Sequence, residues 1–113
     1  MKESRRADVL RLLGLAQRAG AVVAGVDSAR RSVRMGEARL ILKATDASRV
    51  QLSKIAGTLG NQPVPQAFLG DRATLGAALG RAPVSAVVVT GASFADELVR
   101  RLEATGLPNE LEE

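Results

Sequence analysis

The sequence predicts an α/β fold in three layers, with a mixed or mostly parallel four-stranded sheet between helices. Four short runs of aliphatic and β-branched residues alternate with segments whose apolar positions recur at helical spacing, the pattern of crossover connections. Glycine or proline punctuates nearly every junction. The chain has 113 residues, 46% of them hydrophobic, enough for one core and one domain. That domain is expected over residues 1–106, followed by an acidic, mobile tail over 107–113.

The elements follow in order. Val9, Leu10, Leu12, Leu13, Ala16 and Ala19 mark a helix over Ser4 to Arg18, with Gly20 as its stop. Ala21 to Ala24 is a short strand. After Gly25, Asp27 or Ser28 is placed to cap a second helix that runs through Ala29, Val33 and Met35 to Gly36. Arg39 to Ala44 is a continuous apolar run, the mark of a strand buried on both faces. Thr45-Asp46 offers a cap for a third helix with Val50, Leu52, Ile55, Ala56 and Leu59, ended by Gly60-Asn61.

Val64 to Leu69 reads as an edge strand, or a strand only in its second half, because Pro65 cannot donate to a ladder. Asp71 caps a short helix from Arg72 to Leu79, and Gly80 stops it. Val84 to Val89 is the strongest strand signal. Thr90 to Ser93 makes a tight connection in which Ser93 caps a last helix with Phe94, Leu98, Val99 and Leu102 on its buried side, ended by Gly106-Leu107-Pro108.

The residue inventory excludes most enzyme chemistry. With no His and no Cys there is no imidazole acid/base group, no Ser-His or Cys-His nucleophile, no zinc site of the usual kind and no disulfide. The glycines between Gly70 and Gly80 fit neither a P-loop nor a dinucleotide fingerprint. No cofactor and no metal are expected. Met1 to Arg6 leads directly into an amphipathic run, and no stretch is apolar enough to span a bilayer. The expected address is the cytoplasm, without membrane attachment, and a monomer is favoured.

Charge is divided unevenly. Residues 1–60 hold 12 basic and 5 acidic residues, whereas residues 61–113 hold 4 and 7. The excess is mostly arginine, whose planar fork suits phosphate and stacks on bases. A basic half of this kind draws a polyanion. Gly25-Val26-Asp27-Ser28-Ala29-Arg30-Arg31 is the candidate element, since it joins a flexible glycine, a helix start with free N–H groups, and Arg30, Arg31 and Arg34. Arg30 and Arg34 are one turn apart and present along one side; Asp27 and Arg31 have the spacing of an ordinary helical ion pair. Three readings stand at this point: an RNA-binding protein, a phosphate- or nucleotide-binding domain, and a protein interaction module.

Six blocks in order, Leu12-Leu-Gly-Leu-Ala-Gln-Arg-Ala-Gly20, Val23-Ala-Gly-Val-Asp27, Ala38-Arg-Leu-Ile-Leu42, Thr45-Asp-Ala-Ser48, Leu75-Gly-Ala-Ala-Leu-Gly80 and Val87-Val-Val-Thr-Gly-Ala-Ser-Phe-Ala95, carry a resemblance. Together they resemble the L7Ae/L30e family of ribosomal proteins, and within it the small bacterial YlxQ-like branch. The resemblance implies an α/β/α sandwich without catalysis that binds kink-turn RNA, a duplex bent at a bulge followed by tandem sheared G·A pairs, in ribosome assembly, translation or a structured regulatory RNA. It places the start of the second helix, at Gly25, Val26, Asp27, Ser28 and Arg31, in the major groove at the G·A pairs. The loop over the bulged nucleotides falls on Val89, Thr90, Gly91, Ala92 and Ser93, with Lys43 and Asp46 near the same edge.

The physics of RNA agrees with such a placement. An A-form major groove is closed to side chains until a kink opens it to a helix end. Where the archaeal and eukaryotic pattern has Asn-Glu, this chain has Asp27-Ser28. Asp27 accepts hydrogen bonds from guanine edges and cannot donate as Asn does. With no Trp or Tyr, recognition is expected to rest on shape and charge.

Overall fold

The computed structural model describes residues 3–105. The tail at 107–113, expected to be mobile, and the helix stop at Gly106-Leu107-Pro108 lie outside the described residues. Nine elements alternate: α1 (Glu3–Arg18), β1 (Val22–Ala24), α2 (Val26–Arg34), β2 (Leu40–Lys43), α3 (Arg49–Leu59), β3 (Gln66–Phe68), α4 (Arg72–Ala78), β4 (Ala86–Val89) and α5 (Ala92–Thr105).

The sheet order is β1-β4-β2-β3. β2 and β3 are parallel, while β4 is antiparallel to both β1 and β2, so the sheet is mixed. β3 is an edge, as Pro65 requires, and only the second half of the expected run is strand. Central β2 and β4 are buried at every position, because helices cover both faces of the sheet.

Side-chain alternation sorts the core into two layers. Leu40 and Leu42 of β2, with Val87 and Val89 of β4, pack with Val9, Leu13 and Ala16 of α1, Leu75 of α4, and Leu98 and Leu102 of α5. The intervening Ile41, Ala86 and Val88 pack with Ala29 and Val33 of α2 and Ile55 and Leu59 of α3. The result is an α/β/α sandwich with α1, α4 and α5 on one side and α2 and α3 on the other.

Three caps differ from expectation. α2 starts two or three residues earlier than its polar residues suggest: Gly25 is the N-cap, with φ 104°, and no side chain caps the helix. That φ belongs to glycine, and it turns the chain sharply out of β1 so that Asp27 and Ser28 fall inside the first turn. For α3 the cap is Ser48, whose side chain accepts from the Gln51 N–H, rather than Thr45-Asp46. Asp46 instead accepts from the Arg72 N–H at 2.8 Å, at the start of α4. At α5 the helix begins at Ala92, and the Gly91 carbonyl accepts its first bond from the Ala95 N–H, which leaves Ser93 inside the first turn. Asp71 caps α4 as expected, accepting from the Thr74 N–H at 2.8 Å.

Candidate nucleic-acid interface

Strand direction divides the loops between two edges of the sheet. β1, β2 and β3 all end at one edge, where β4 begins. There the Gly25 N–H donates to the Ala86 carbonyl, the Ala44 N–H to Ser85, and the Thr45 N–H to Gly70. Ligands of α/β sheets gather outside carboxyl ends of strands, and three of the four converge here.

The start of α2 is the open feature of this edge. α3 and α4 each have a side chain satisfying a first-turn N–H, whereas the first N–H groups of α2 have none. An uncapped start is an acceptor-seeking surface, strengthened by the helix dipole. Asp27, Ser28, Arg31 and Arg34 are all exposed. The ion pair that sequence spacing offers Asp27 and Arg31 is not formed: among the described residues, neither side chain has a hydrogen-bond or ion-pair partner. A free acceptor and a free fork therefore stand one turn apart beside unclaimed backbone donors.

The other predicted residues of this edge are engaged in holding the fold. Arg30 does not lie beside Arg34 in solvent; it is half-buried, and its Nε donates to Thr58 Oγ1 of α3 at 2.8 Å. Lys43 is 6% exposed. Its Nζ donates to Gln66 Oε1 at 3.3 Å and lies 4.7 Å from the centre of the Phe68 ring, on the floor of a groove between α3 and the β3 edge. Asp46 receives the Arg72 N–H and also pairs with its guanidinium at 3.4 Å, so it fastens the loop after β2 to the start of α4.

Val89, Thr90, Gly91, Ala92 and Ser93 are not brought to this edge. Because β4 runs opposite to β1 and β2, its last residue pairs with Val22 and Leu40, the first residues of those strands. The three steps from Ala86 to Val89 carry the chain about 10 Å along the strand, to the far edge. Val89 is fully buried, and the Thr90 and Gly91 N–H groups donate to the Ala21 carbonyl. A single site joining this loop to the start of α2 is thereby corrected.

The connection that does reach the α2 edge is the one before β4, Gly80 to Ser85. It doubles back along α4: the Val84 N–H donates to the Arg72 carbonyl, and the Ala82 carbonyl oxygen lies 2.3 Å from where a Cβ on Gly76 would stand. This return makes β4 enter from the edge where β3 left, which is why β4 is antiparallel to β2. Arg81, Ala82 and Pro83 are exposed. The resemblance gives the bulge-covering role to Val89 to Ser93 and none to these residues; the available sequence signal was Gly76 and Gly80 so close together with Pro83 beyond.

Among the described residues the ion pairs gather in one helical layer, although Arg18 at the end of α1 meets no carboxylate there. In the α1/α4/α5 layer Asp8 pairs with Arg11 at 3.6 Å and Arg101 at 2.9 Å, and Glu97 pairs with Arg100 and Arg101. Arg100, then Arg101, holds the Glu97 carboxyl below its usual range, and Glu97 raises Arg101 in return. Asp71 is also lowered, by its hydrogen bonds with Thr74. In the α2/α3 layer Arg31, Arg34, Arg49 and Lys54 meet no carboxylate among the described residues. No group of described residues could hold a metal ion, and no helix among them is long and apolar enough to cross a membrane.

Fold and edge together define an α/β/α sandwich that presents an uncapped helix start flanked by unpaired arginines. The chain belongs to the ribosomal protein L7Ae/L30e/S12e/Gadd45 family, whose sequence profile matches residues 7–99. It is 36% identical over 92 residues to the RNA-binding protein YlxQ of Bacillus subtilis (strain 168), covering 81% of this chain and 92% of that one. Among solved structures it is similar to a protein of unknown function from Bacillus halodurans C, with TM-score 0.78 and 28% identity over 84% of this chain and 96% of the other. The 15.5kD RNA binding protein of Giardia lamblia shares the fold, with TM-score 0.74 and 23% identity over 92% of each chain.

Proposed function

We propose that this protein is a non-catalytic RNA-binding protein that recognises kink-turn or similarly bent RNA, in a ribosomal or other translational setting, through the edge at which α2 begins. The observation that carries the reading is the start of α2. Its first N–H groups lack a side-chain cap, and Asp27, Ser28 and Arg31 stand free beside them. Membership of the family, and a relative named for RNA binding, support the choice of RNA as the polyanion.

In this reading the first turn of α2 enters a major groove opened by the kink. Asp27 accepts from guanine N–H donors at sheared G·A pairs, and the backbone N–H groups of Val26 to Ser28 and the Arg31 fork meet phosphate. Gly80 to Ser85, with Arg81, is the connection placed to cover bulged nucleotides beside α2. Lys43 and Asp46 act from behind by holding the loops of the edge. Val89 to Ser93 then have no part in the contact.

The test is a gel shift at a fixed, stated salt concentration, comparing a kink-turn RNA with the same RNA whose tandem G·A pairs are changed to Watson-Crick pairs. Tight binding to the first alone is expected. Equal, salt-sensitive binding to both would leave general RNA binding and remove kink recognition. No binding at low salt would overturn the reading in favour of a protein partner.

A further inference from the structure

The unpaired cations do not stop at the start of α2. Both α2 and α3 run from the Gly25 edge toward the opposite one, since each follows a strand that ends at the first edge and leads to one that begins, or an Arg39 N–H that bonds, at the second. They are therefore parallel neighbours, and one clamp sets their relative height. Arg30 Nε donates to Thr58 Oγ1 at 2.8 Å, while the Thr58 hydroxyl donates to the Lys54 carbonyl at 3.0 Å.

Helical spacing carries the register outward from the clamp. Lys54 lies one turn before Thr58 on α3, which sets it about level with the first turn of α2. Arg34 lies one turn after Arg30 on α2, toward the far end of the seam. Lys54, Arg30 and Arg34 therefore form a track along the α2–α3 seam spanning about 11 Å, two helical turns. Lys54 and Arg34 are exposed and have no carboxylate partner among the described residues. The α3 surface beside them is low: Ser53, Ala56 and Gly57 are exposed, and a Cβ on Gly57 would meet nothing within 4 Å.

We propose that this seam is a second contact surface for the same RNA, with Lys54 and Arg34 gripping the phosphate backbone of a duplex stem that leaves the kink. The inference rests on the RNA reading above and extends it: the edge of α2 reads the bend, and the seam adds sequence-independent hold on a flanking stem. Phosphate is the fitting partner because Lys54 and Arg34 carry charge that no carboxylate neutralises among the described residues, and the large exposed apolar side chains at α2 and α3, Met35 and Val50, are single residues rather than a face for a protein core. The Arg30–Thr58 clamp fixes the spacing of the cations, so the track is built before RNA arrives.

The experiment uses the full chain, the kink-turn RNA with long flanking stems, and the same RNA with trimmed stems. Affinities are measured from 50 to 200 mM salt for the wild type, Lys54→Ala, Arg34→Ala, the double variant and Lys54→Arg. Each phosphate contact removed shrinks the loss of affinity across that salt range by about threefold. The expected result is about a threefold change for each single variant and about tenfold for the double variant on long stems. Trimmed stems should show little change, and Lys54→Arg should keep the wild-type slope.

A double variant with wild-type affinity and slope on long stems would overturn the seam contact while leaving kink recognition intact. An equal effect from Arg100→Ala, in the opposite layer, would also overturn it, since net charge alone would then explain the change. Wild-type binding that ignores the G·A pairs would sink kink recognition and leave the seam standing on its slope. Binding to neither RNA would overturn both.

Discussion

The two helical layers both carry arginine, and among the described residues ion pairs form in only one of them. Around α1, α4 and α5, the guanidinium groups of Arg11, Arg72, Arg100 and Arg101 each face a carboxylate, and Asp8 and Glu97 serve two arginines apiece. Around α2 and α3, Arg31, Arg34, Arg49 and Lys54 face none, and Arg30 is held by a hydroxyl. The larger of the two cores lies under the paired layer and the smaller under the unpaired one. The larger paired network and the proposed recognition surface thus lie on opposite sides of one sheet, and an Arg count alone does not distinguish them; the placing of the acids does.

The comparison is broken most directly through the larger core. Leu98 of α5 has no exposed surface, and Leu98→Ala removes three carbons from a site enclosed by α1 and β4. The expected cost is about 2–5 kcal/mol, seen as a lower urea midpoint with an unchanged slope. Below the transition, the folded protein should bind RNA as the wild type does. A similar loss of stability from Arg31→Ala would erase the division of labour.

Next in size is Gly76→Ala. The added Cβ would stand 2.3 Å from the Ala82 carbonyl oxygen, against backbone that cannot swing away as a flexible side chain would. Overpacking of this kind costs about 1–3 kcal/mol, and at times more. Since that contact is what returns the Gly80 to Ser85 connection to the α2 edge, the variant should also weaken RNA binding at temperatures where the chain remains folded. A neutral Gly76→Ala would mean that the return is not tight, and would detach the connection from the proposed interface.

Local signals in the sequence located the elements, and the sheet's direction was the part they did not carry. Apolar spacing placed five helices and four strands, Pro65 placed β3 at an edge, and the unbroken Arg39 to Ala44 run placed β2 at the centre. The direction of β4 depends instead on the tight return after α4, a contact between Gly76 and Ala82 that no periodicity encodes. The resemblance puts the bulge-covering role on the loop after β4; the direction of β4 takes that loop to the other edge and brings the loop before β4 to the α2 edge. The caps show a similar limit. Asp46 has the residue type of a cap and is one of the groups at a helix start, but the helix is α4, which lies 26 residues on in the chain. Residue type told what chemistry was present, and long-range packing decided whom it served.

For recognition, Arg31→Ala and Arg100→Ala form the sharpest pair, because each removes one exposed arginine. Arg31 is unpaired on α2, whereas Arg100 is paired with Glu97 on α5. Arg31→Ala should weaken RNA binding and reduce the salt slope by about one phosphate contact, with thermal stability little changed. Arg100→Ala should leave both affinity and slope at the wild-type value. Equal effects would show that only total charge matters.

The smallest effect concerns pH, and it separates the layers without any mutation. The Asp71 and Glu97 carboxyls sit below their ordinary values of 3.8 and 4.5, Asp71 through Thr74 and Glu97 through its arginines. A carboxyl whose folded value is depressed stabilises the fold above its unfolded value, and that contribution is lost as the pH falls through the folded one. Thermal stability should therefore be level from neutral pH down to about 5 and decline below it. Asp71→Asn together with Glu97→Gln should lower the neutral plateau slightly and flatten the acid limb. RNA affinity should behave differently: with no His and no Cys in the chain, no side chain of the ordinary kind changes charge between about pH 5.5 and 8, and binding should stay level across it. Affinity that rose or fell in that window would require a titrating group at the interface, which the unpaired layer as described does not contain, and would place part of the recognition outside α2 and α3.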